Sequence, residues 1–189
     1  MVLQPVFTEL GLTQRQLRDS DRGKIHALFV RTFTDSEGPS EGELIGRLVR
    51  KLMDAGDSQD VRCFVALLGH EVIGSIFFSR LWSESSTESF LLSPVAVDTA
   101  HQGQGVGQKL IRYGIDQLRE EGVQRVFTYG DPRFYSRVGF EHIPDEIAKA
   151  PFKLTYPEAW LVQSLAERGG EPQKGPLHCV EAFRNPHLW

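Results

Sequence analysis

The sequence predicts an α/β domain, and three observations predict it. Residues 95–121 read as strand, loop and helix: an apolar run closes at Val97, a polar and glycine-rich turn follows, and helical period then runs to Glu121. Val61 to Leu68 and Val72 to Leu81 are strand-like runs separated only by Gly69-His70, the pattern of a β-hairpin. Helical periods precede that hairpin and a further strand follows the long helix, so the two kinds of element interleave. A chain of 189 residues suits a single domain, 1–189, with enough length to bury a substantial core.

The elements follow in order. Residues 1–19 predict one strand, around Val6 to Leu12. From Ser20 or Asp21 a helix is expected, with Ile25, Leu28, Phe29 and Phe33 on one face and a break at Thr34-Asp35-Ser36-Glu37-Gly38-Pro39. Ser40 followed by Glu43 reads as a capping box, and Leu44, Ile45, Leu48, Val49, Leu52 and Met53 then keep helical period to a stop near Gly56. The polar loop between these helices can be a substrate wall or simply a solvated connection. After the hairpin, Trp82 to Glu88 is a polar link, and Phe90 to Val97 is the next strand. Pro94 lies inside it. Proline donates no ladder hydrogen bond, so it belongs at a bulge or where a neighbouring strand has moved away.

In the helix that follows, Val106, Leu110, Ile111, Ile115 and Leu118 occupy one face, and Gly122 is a natural left-handed stop. Gln124 to Tyr129 predicts a strand. Asp131 is a good N-cap and Pro132 a good first residue for a short helix through Phe134, Tyr135 and Val138, ending at Gly139. Phe140 to Ile143 then returns as a strand. Pro144 to Tyr156 reads as loop, Trp160 to Leu165 as a strand, Glu167 to Gly175 as a polar turn and Leu177 to Ala182 as a last strand.

Composition narrows the function classes. Hydrophobic content of 40% and charged content of 24% are those of an ordinary globular protein, and a net charge of −4 gives no reason to expect nucleic acid as a partner. No run approaches the ~18 apolar residues of a membrane span, and no signal-peptide pattern opens the chain. Two distant cysteines, Cys63 and Cys179, fit a reducing compartment, so a cytoplasmic protein is expected. The histidines show no metal-ligand spacing, and no metal is expected. Edge strands and the apolar Phe183 and Trp189 leave room for a homodimer.

The chemistry points to the glycine-rich turn. A helix N-terminus offers unpaired N–H groups and the positive end of the macrodipole, and glycines let an anion approach that backbone. The glycines alone are equally compatible with tight packing of a helix on a strand. The P-loop pattern fails, because Gln108 stands five residues after Gly103 and Leu110 follows Lys109. The dinucleotide pattern fails at Gln108 or Leu110. What remains is Gln102-x-x-Gly105-x-Gly107 between a strand and a helix.

That pattern resembles the acyl-CoA loop of the GCN5-related N-acetyltransferase (GNAT) superfamily. One helix and one strand later, Tyr135-Ser136-Arg137-Val138-Gly139-Phe140 is similar to the family's Tyr-x-x-x-Gly-Phe segment. The Gly130-Asp131-Pro132 opening, the Pro94-to-Asp98 strand end and His178-Cys179-Val180-Glu181-Ala182-Phe183 resemble the YhbS-like subgroup. The likeness is strongest over 90–142. It implies a mixed, twisted, mostly antiparallel sheet with helices on both faces and a splay between the fourth and fifth strands. It implies acetyl-CoA as co-substrate, held by the backbone of Val95, Ala96 and Val97 at the pantetheine arm. Gln102, Gly103, Gln104, Gly105, Val106, Gly107 and Gln108 would hold the pyrophosphate, and Asp98 would fix the turn.

The resemblance further implies direct transfer to a small-molecule or peptide amine within a ternary complex, with Tyr135 as general acid. An unperturbed phenol titrates near pH ~10 and still holds its proton at neutrality. The general base stays unassigned: Glu37, Glu41, Glu43, Glu84 and Glu88 lie in segments that could border the amine site, yet each reads more readily as a surface carboxylate, and a chain of waters would serve equally well. Cys179 and His178, as strand neighbours, point to opposite faces and do not form a nucleophile and base. Two other readings stand beside the enzyme: a non-catalytic acyl-CoA-binding module, and a nucleotide-binding α/β protein.

Overall fold

A computed structural model describes residues 11–55, 59–84, 87–166 and 175–189. Its strands are β1 (Leu12–Gln16), β2 (Val61–Leu68), β3 (Glu71–Trp82), β4 (Ser89–Val97), β5 (Arg125–Tyr129), β6 (Glu141–His142), β7 (Trp160–Ser164) and β8 (His178–Cys179). Its α-helices are α1 (Arg22–Glu37), α2 (Pro39–Asp54), α3 (Val106–Glu120) and α4 (Pro132–Tyr135). Among the described residues the sheet runs β1-β2-β3-β4-β5-β7-β6, with β8 pairing β3. Only β4 and β5 pair in parallel; the other ladders are antiparallel. This is the mixed, mostly antiparallel sheet that the sequence resemblance implies.

Helices cover both faces because the strands are apolar on both. Phe77, Leu91, Phe127 and Trp160 face Ile25, Leu28, Phe29, Ile45, Leu48 and Val49 of α1 and α2. Ile76, Phe78, Leu92 and Val126 face Val106, Leu110, Ile111, Ile115 and Leu118 of α3. Successive strand residues alternate between the two clusters, so Ile76 and Phe77 lie on opposite sides of one sheet.

Three expectations are corrected, at the end of α1, the start of α2 and the last strand. The first described strand is Leu12–Gln16, and the strand expected around Val6 to Leu12 lies, up to residue 10, outside the described residues. Its edge register is set by pairing with β2, which no local pattern encodes. α1 runs through Thr34 to Glu37 and ends only at Gly38. Polar residues on the solvent side of a helix do not stop it. α2 starts at Pro39 with Gly38 as its N-cap, so Ser40 lies inside the helix and forms no capping box. The last strand shortens to His178–Cys179, because Glu181–Phe183 turns into a 3-10 helix. The expected turn at 167–174 and the expected α2 stop at Gly56 lie outside the described residues.

The C-terminal segment is woven into the domain. β7 inserts between β5 and β6. Phe183 and Trp189 are buried, and the Trp189 indole N–H donates to the Phe183 carbonyl at 3.0 Å. They therefore offer no apolar face to a second copy. His178 stacks on Trp82, while Cys179 turns inward, its thiol pushed up to about 11 by burial. Burial likewise pushes the core Cys63 up to about 12. Neither thiol is set up as a nucleophile.

Candidate active site

The site begins at a fault in β4. Ile76 pairs with Val95 and Phe78 with Leu92, so Ser93 and Pro94 together oppose Phe77. That is a two-against-one bulge, located where Pro94 predicts it. The parallel ladder to β5 stops at Leu92 opposite Thr128, and Val95 to Val97 run on without β5 beside them. The Asp98 N–H donates to the Ile73 carbonyl at 2.8 Å, and antiparallel hydrogen bonding repeats every second residue. Ala96 therefore directs its backbone at Ser75 of β3, while Val95 and Val97 direct theirs into the gap. The Val97 carbonyl accepts from the Gln102 side-chain amide at 3.0 Å.

The loop then delivers a helix N-terminus to the same gap. Gly105 is the N-cap of α3 with φ of 79°, a left-handed conformation that side chains resist. The Lys109 N–H donates to the Gly105 carbonyl at 3.0 Å and starts the helical ladder. Before it, the N–H groups of Gly103 through Gln108 have no backbone acceptor among the described residues. Asp98 shapes the turn as the sequence suggests. Its carboxylate accepts from the Ala100 N–H at 3.1 Å, contacts His101, and pairs with Arg31 of α1. Burial would raise that carboxyl, but these partners outweigh it and hold it below its usual range.

A folded-state carboxyl held low stabilises the protein above its unfolded titration near pH ~4, and that stabilisation disappears as pH falls through the folded value. Asp98→Ala is thus expected to cost about 1–2 kcal/mol at pH 7. Urea unfolding should show the gap between variant and parent shrinking at pH 3; a gap unchanged by pH would refute the charge contribution.

Tyr135 sits across the gap. Asp131 accepts from the Arg133 N–H at 2.9 Å and caps α4, which the chain leaves through Ser136–Val138 to a left-handed Gly139. The ring is wedged edge-on between Phe134 (5.0 Å) and Phe140 (5.7 Å). Burial raises its phenol above the ordinary value, with the Thr128 side chain acting in the opposite direction. The fully buried Thr128 itself donates to the Leu92 carbonyl at 2.9 Å. Thr128 and Leu92 are the last rung before the splay.

Gly130 makes room for that ring, since a Cβ there would lie 2.5 Å from Tyr135 Cε2. Gly130→Ala should displace the phenol and lower kcat about tenfold or more, with acetyl-CoA affinity kept. Unchanged kcat would show that the ring's position is not critical.

Together these groups enclose a cleft of about 490 Å³. Val95, Val97, Gln102, Gly103, Gly105, Val106, Gly107, Gln108 and Tyr135 line it. Of the residues singled out from sequence, Ala96 and Gln104 do not. Ala96 faces the α1/α2 cluster, and the Gln104 side chain donates to the Ala100 carbonyl at 3.1 Å. Sequence reasoning missed Thr32, Phe33 and Ser36 on the far wall, with Arg137 beside Tyr135. The periodicity of α1, carried past Phe33, would have found Ser36. Among the described residues, no cluster of three or more His, Cys, Asp or Glu side chains could hold a metal.

An extended groove beside an unpaired strand edge, ending at a helix N-terminus of open amides, fits an acyl-CoA, whose pantetheine carries amides and whose pyrophosphate is anionic. Residues 59–142 match the family described as acetyltransferase (GNAT) domain. The chain is 34% identical over 142 residues to the uncharacterized N-acetyltransferase YjhQ of Escherichia coli, covering 71% of this chain and 77% of that protein. It is similar to the E. coli GNAT family N-acetyltransferase YhbS solved with CoA: TM-score 0.79, 28% identity, 93% of both chains. A GNAT family acetyltransferase from Brucella melitensis solved with acetyl-CoA gives a TM-score of 0.71 at 26% identity, covering 93% of this chain and 99% of that one. With a bulged β4, a splay beside it and a glycine-led start of α3 around one cleft, this chain belongs to the GNAT family of acetyltransferases.

Proposed function

We propose that this protein transfers an acetyl group from acetyl-CoA to a primary amine by direct attack within a ternary complex. The observation that carries the reading is the shared cleft, which sets the amides at the start of α3, the edge of Val95 and Val97 that β5 leaves uncovered and the phenol of Tyr135 around one space. Acetyl-CoA supplies the acyl group and a thiolate leaving group. The α3 amides bind its pyrophosphate through hydrogen bonds reinforced by the helix dipole. Val95 and Val97 pair with the pantetheine arm as an added strand would, and an N–H of this edge stabilises charge developing on the thioester oxygen. Tyr135 donates its proton to the departing sulfur, and the amine's proton leaves to solvent.

We read residues 1–189 as one catalytic domain, supported by β7 and β8 joining the same sheet. We place the protein in the cytoplasm. Its cysteines are free and buried, and among the described residues no helix is long and apolar enough to cross a membrane. Calorimetry with acetyl-CoA together with thiol release over an amine panel tests the reading. Binding with turnover supports the enzyme; binding without release for any amine would identify an acyl-CoA-binding module instead.

A further inference from the structure

The diphosphate of an acyl-CoA brings negative charge to a loop that has no cationic side chain of its own. Gln102 to Gln108 include neither lysine nor arginine, and Lys109, the first that follows, is exposed and does not border the cleft. The backbone N–H groups and the α3 dipole supply partial charges only. Two basic side chains do border the cleft, Arg137 beside Tyr135 and His101 at the foot of the loop. His101 immediately precedes Gln102.

The surroundings of His101 fix what its ring can offer. Nδ1 lies 3.3 Å from Asp98 Oδ1, and 23% of the side chain stays accessible. Asp98 is paired with Arg31 and accepts from the Ala100 N–H, so it is a carboxylate that can only accept, and Nδ1 carries a hydrogen whether the ring is neutral or charged. Titration of the imidazole therefore adds or removes the hydrogen at Nε2, which has no hydrogen-bond partner among the described residues. A neutral ring presents a lone pair there, which repels a phosphate oxygen. A protonated ring presents an N–H and a full positive charge.

The neighbouring charges leave that positive charge uncancelled. Arg31 already balances Asp98, and Asp35, which also reaches this turn from α1, accepts from the Thr99 hydroxyl at 2.9 Å. The other charged groups on the cleft wall, Glu37 and Arg137, are opposite in sign, and the charge of Arg137 acts on Asp131. The positive start of α3 disfavours a protonated imidazole until an anion is bound.

We infer that His101 is a further cofactor-binding residue: its imidazolium, oriented by Asp98, donates from Nε2 to the diphosphate of acyl-CoA and makes affinity for that cofactor depend on pH. This rests on the acyl-CoA reading of the cleft. By linkage, binding takes up protons near neutrality and weakens as pH rises through the range of about pH 5–8 in which an imidazole changes charge.

Calorimetry of the full chain with dephospho-CoA tests it, because this probe keeps the diphosphate and lacks the 3′-phosphate, a monoester that itself titrates near pH ~6. The parent's Kd should rise at least about fivefold from pH 6 to pH 8, and titrations at pH 7 in buffers of different ionisation enthalpy should show proton uptake. His101→Gln should match the parent at pH 8 within about twofold, hold that weaker affinity at pH 6, and take up no proton. His101→Lys, charged throughout, should keep the parent's pH 6 affinity within about threefold across the range and also take up none. A parent Kd that does not change with pH, or proton uptake that survives in His101→Gln, overturns the inference and leaves the acyl-CoA site intact. Failure of the parent to bind either dephospho-CoA or acetyl-CoA at any pH overturns both.

Discussion

Tyr135→Phe is expected to lower kcat by roughly 10²-fold or more, the usual contribution of a positioned general acid, while acetyl-CoA affinity stays within about twofold. The substitution keeps the ring between Phe134 and Phe140 and removes only the hydroxyl. Loss of activity therefore reports loss of a proton donor rather than of packing. Because burial raises the phenol above its ordinary value, it stays protonated beyond pH ~10. The parent's kcat should accordingly show no Tyr135-dependent fall between pH 7 and 10. Thiol-release kinetics across that range, with calorimetry for the cofactor, decide it: equal kcat in parent and variant removes Tyr135 from the mechanism.

Gly107→Asp should abolish measurable acetyl-CoA binding. A Cβ at this position points between Val97 and Phe134, with Val97 Cγ2 at 3.3 Å and Phe134 Cζ at 3.5 Å, so the new carboxylate enters the cleft. At about 4 Å from a phosphate in a partly buried site, like charges repel by about 4 kcal/mol, or roughly a 10³-fold loss of affinity. Gly105→Asp should act in the same direction, with about 1–2 kcal/mol of backbone strain added by its left-handed φ. Gly107→Asn keeps the bulk without the charge and should lose much less. Binding is read by calorimetry and folding by circular dichroism. A folded Gly107→Asp protein that still binds acetyl-CoA would mean that the pyrophosphate sits elsewhere.

Legibility in the sequence followed the range of the interactions involved. The loop from Gln102 to Gln108, the apolar face of α3, the Asp131 cap and the hairpin at Gly69-His70 all depend on residues within a turn or two of one another, and all appear where the local pattern puts them. Pro94 was informative because a residue without an N–H disturbs any ladder it enters. The end of α1 was misread because Thr34, Asp35 and Ser36 look like a loop when only polarity is counted, whereas they continue a helix whose opposite side is packed on the sheet. That misreading hid Ser36 as a cleft residue. That Thr128 would act on Tyr135 was invisible, since nothing in a five-residue strand marks which side chain a later helix will approach.

What the sequence determined by itself was the local chemistry: a helix N-terminus led by glycines, a proline that breaks a ladder, and a capped tyrosine turn. Tertiary structure alone decided that these three converge on one cleft, that Val95 and Val97 rather than Ala96 face it, and that the end of α1 closes its far side. The physical reason is that caps, turns and bulges are settled by neighbours along the chain. Which edge is left unpaired depends on β7 taking the far side of β5 and on β5 parting from β4 after Leu92, pairings between residues far apart in sequence.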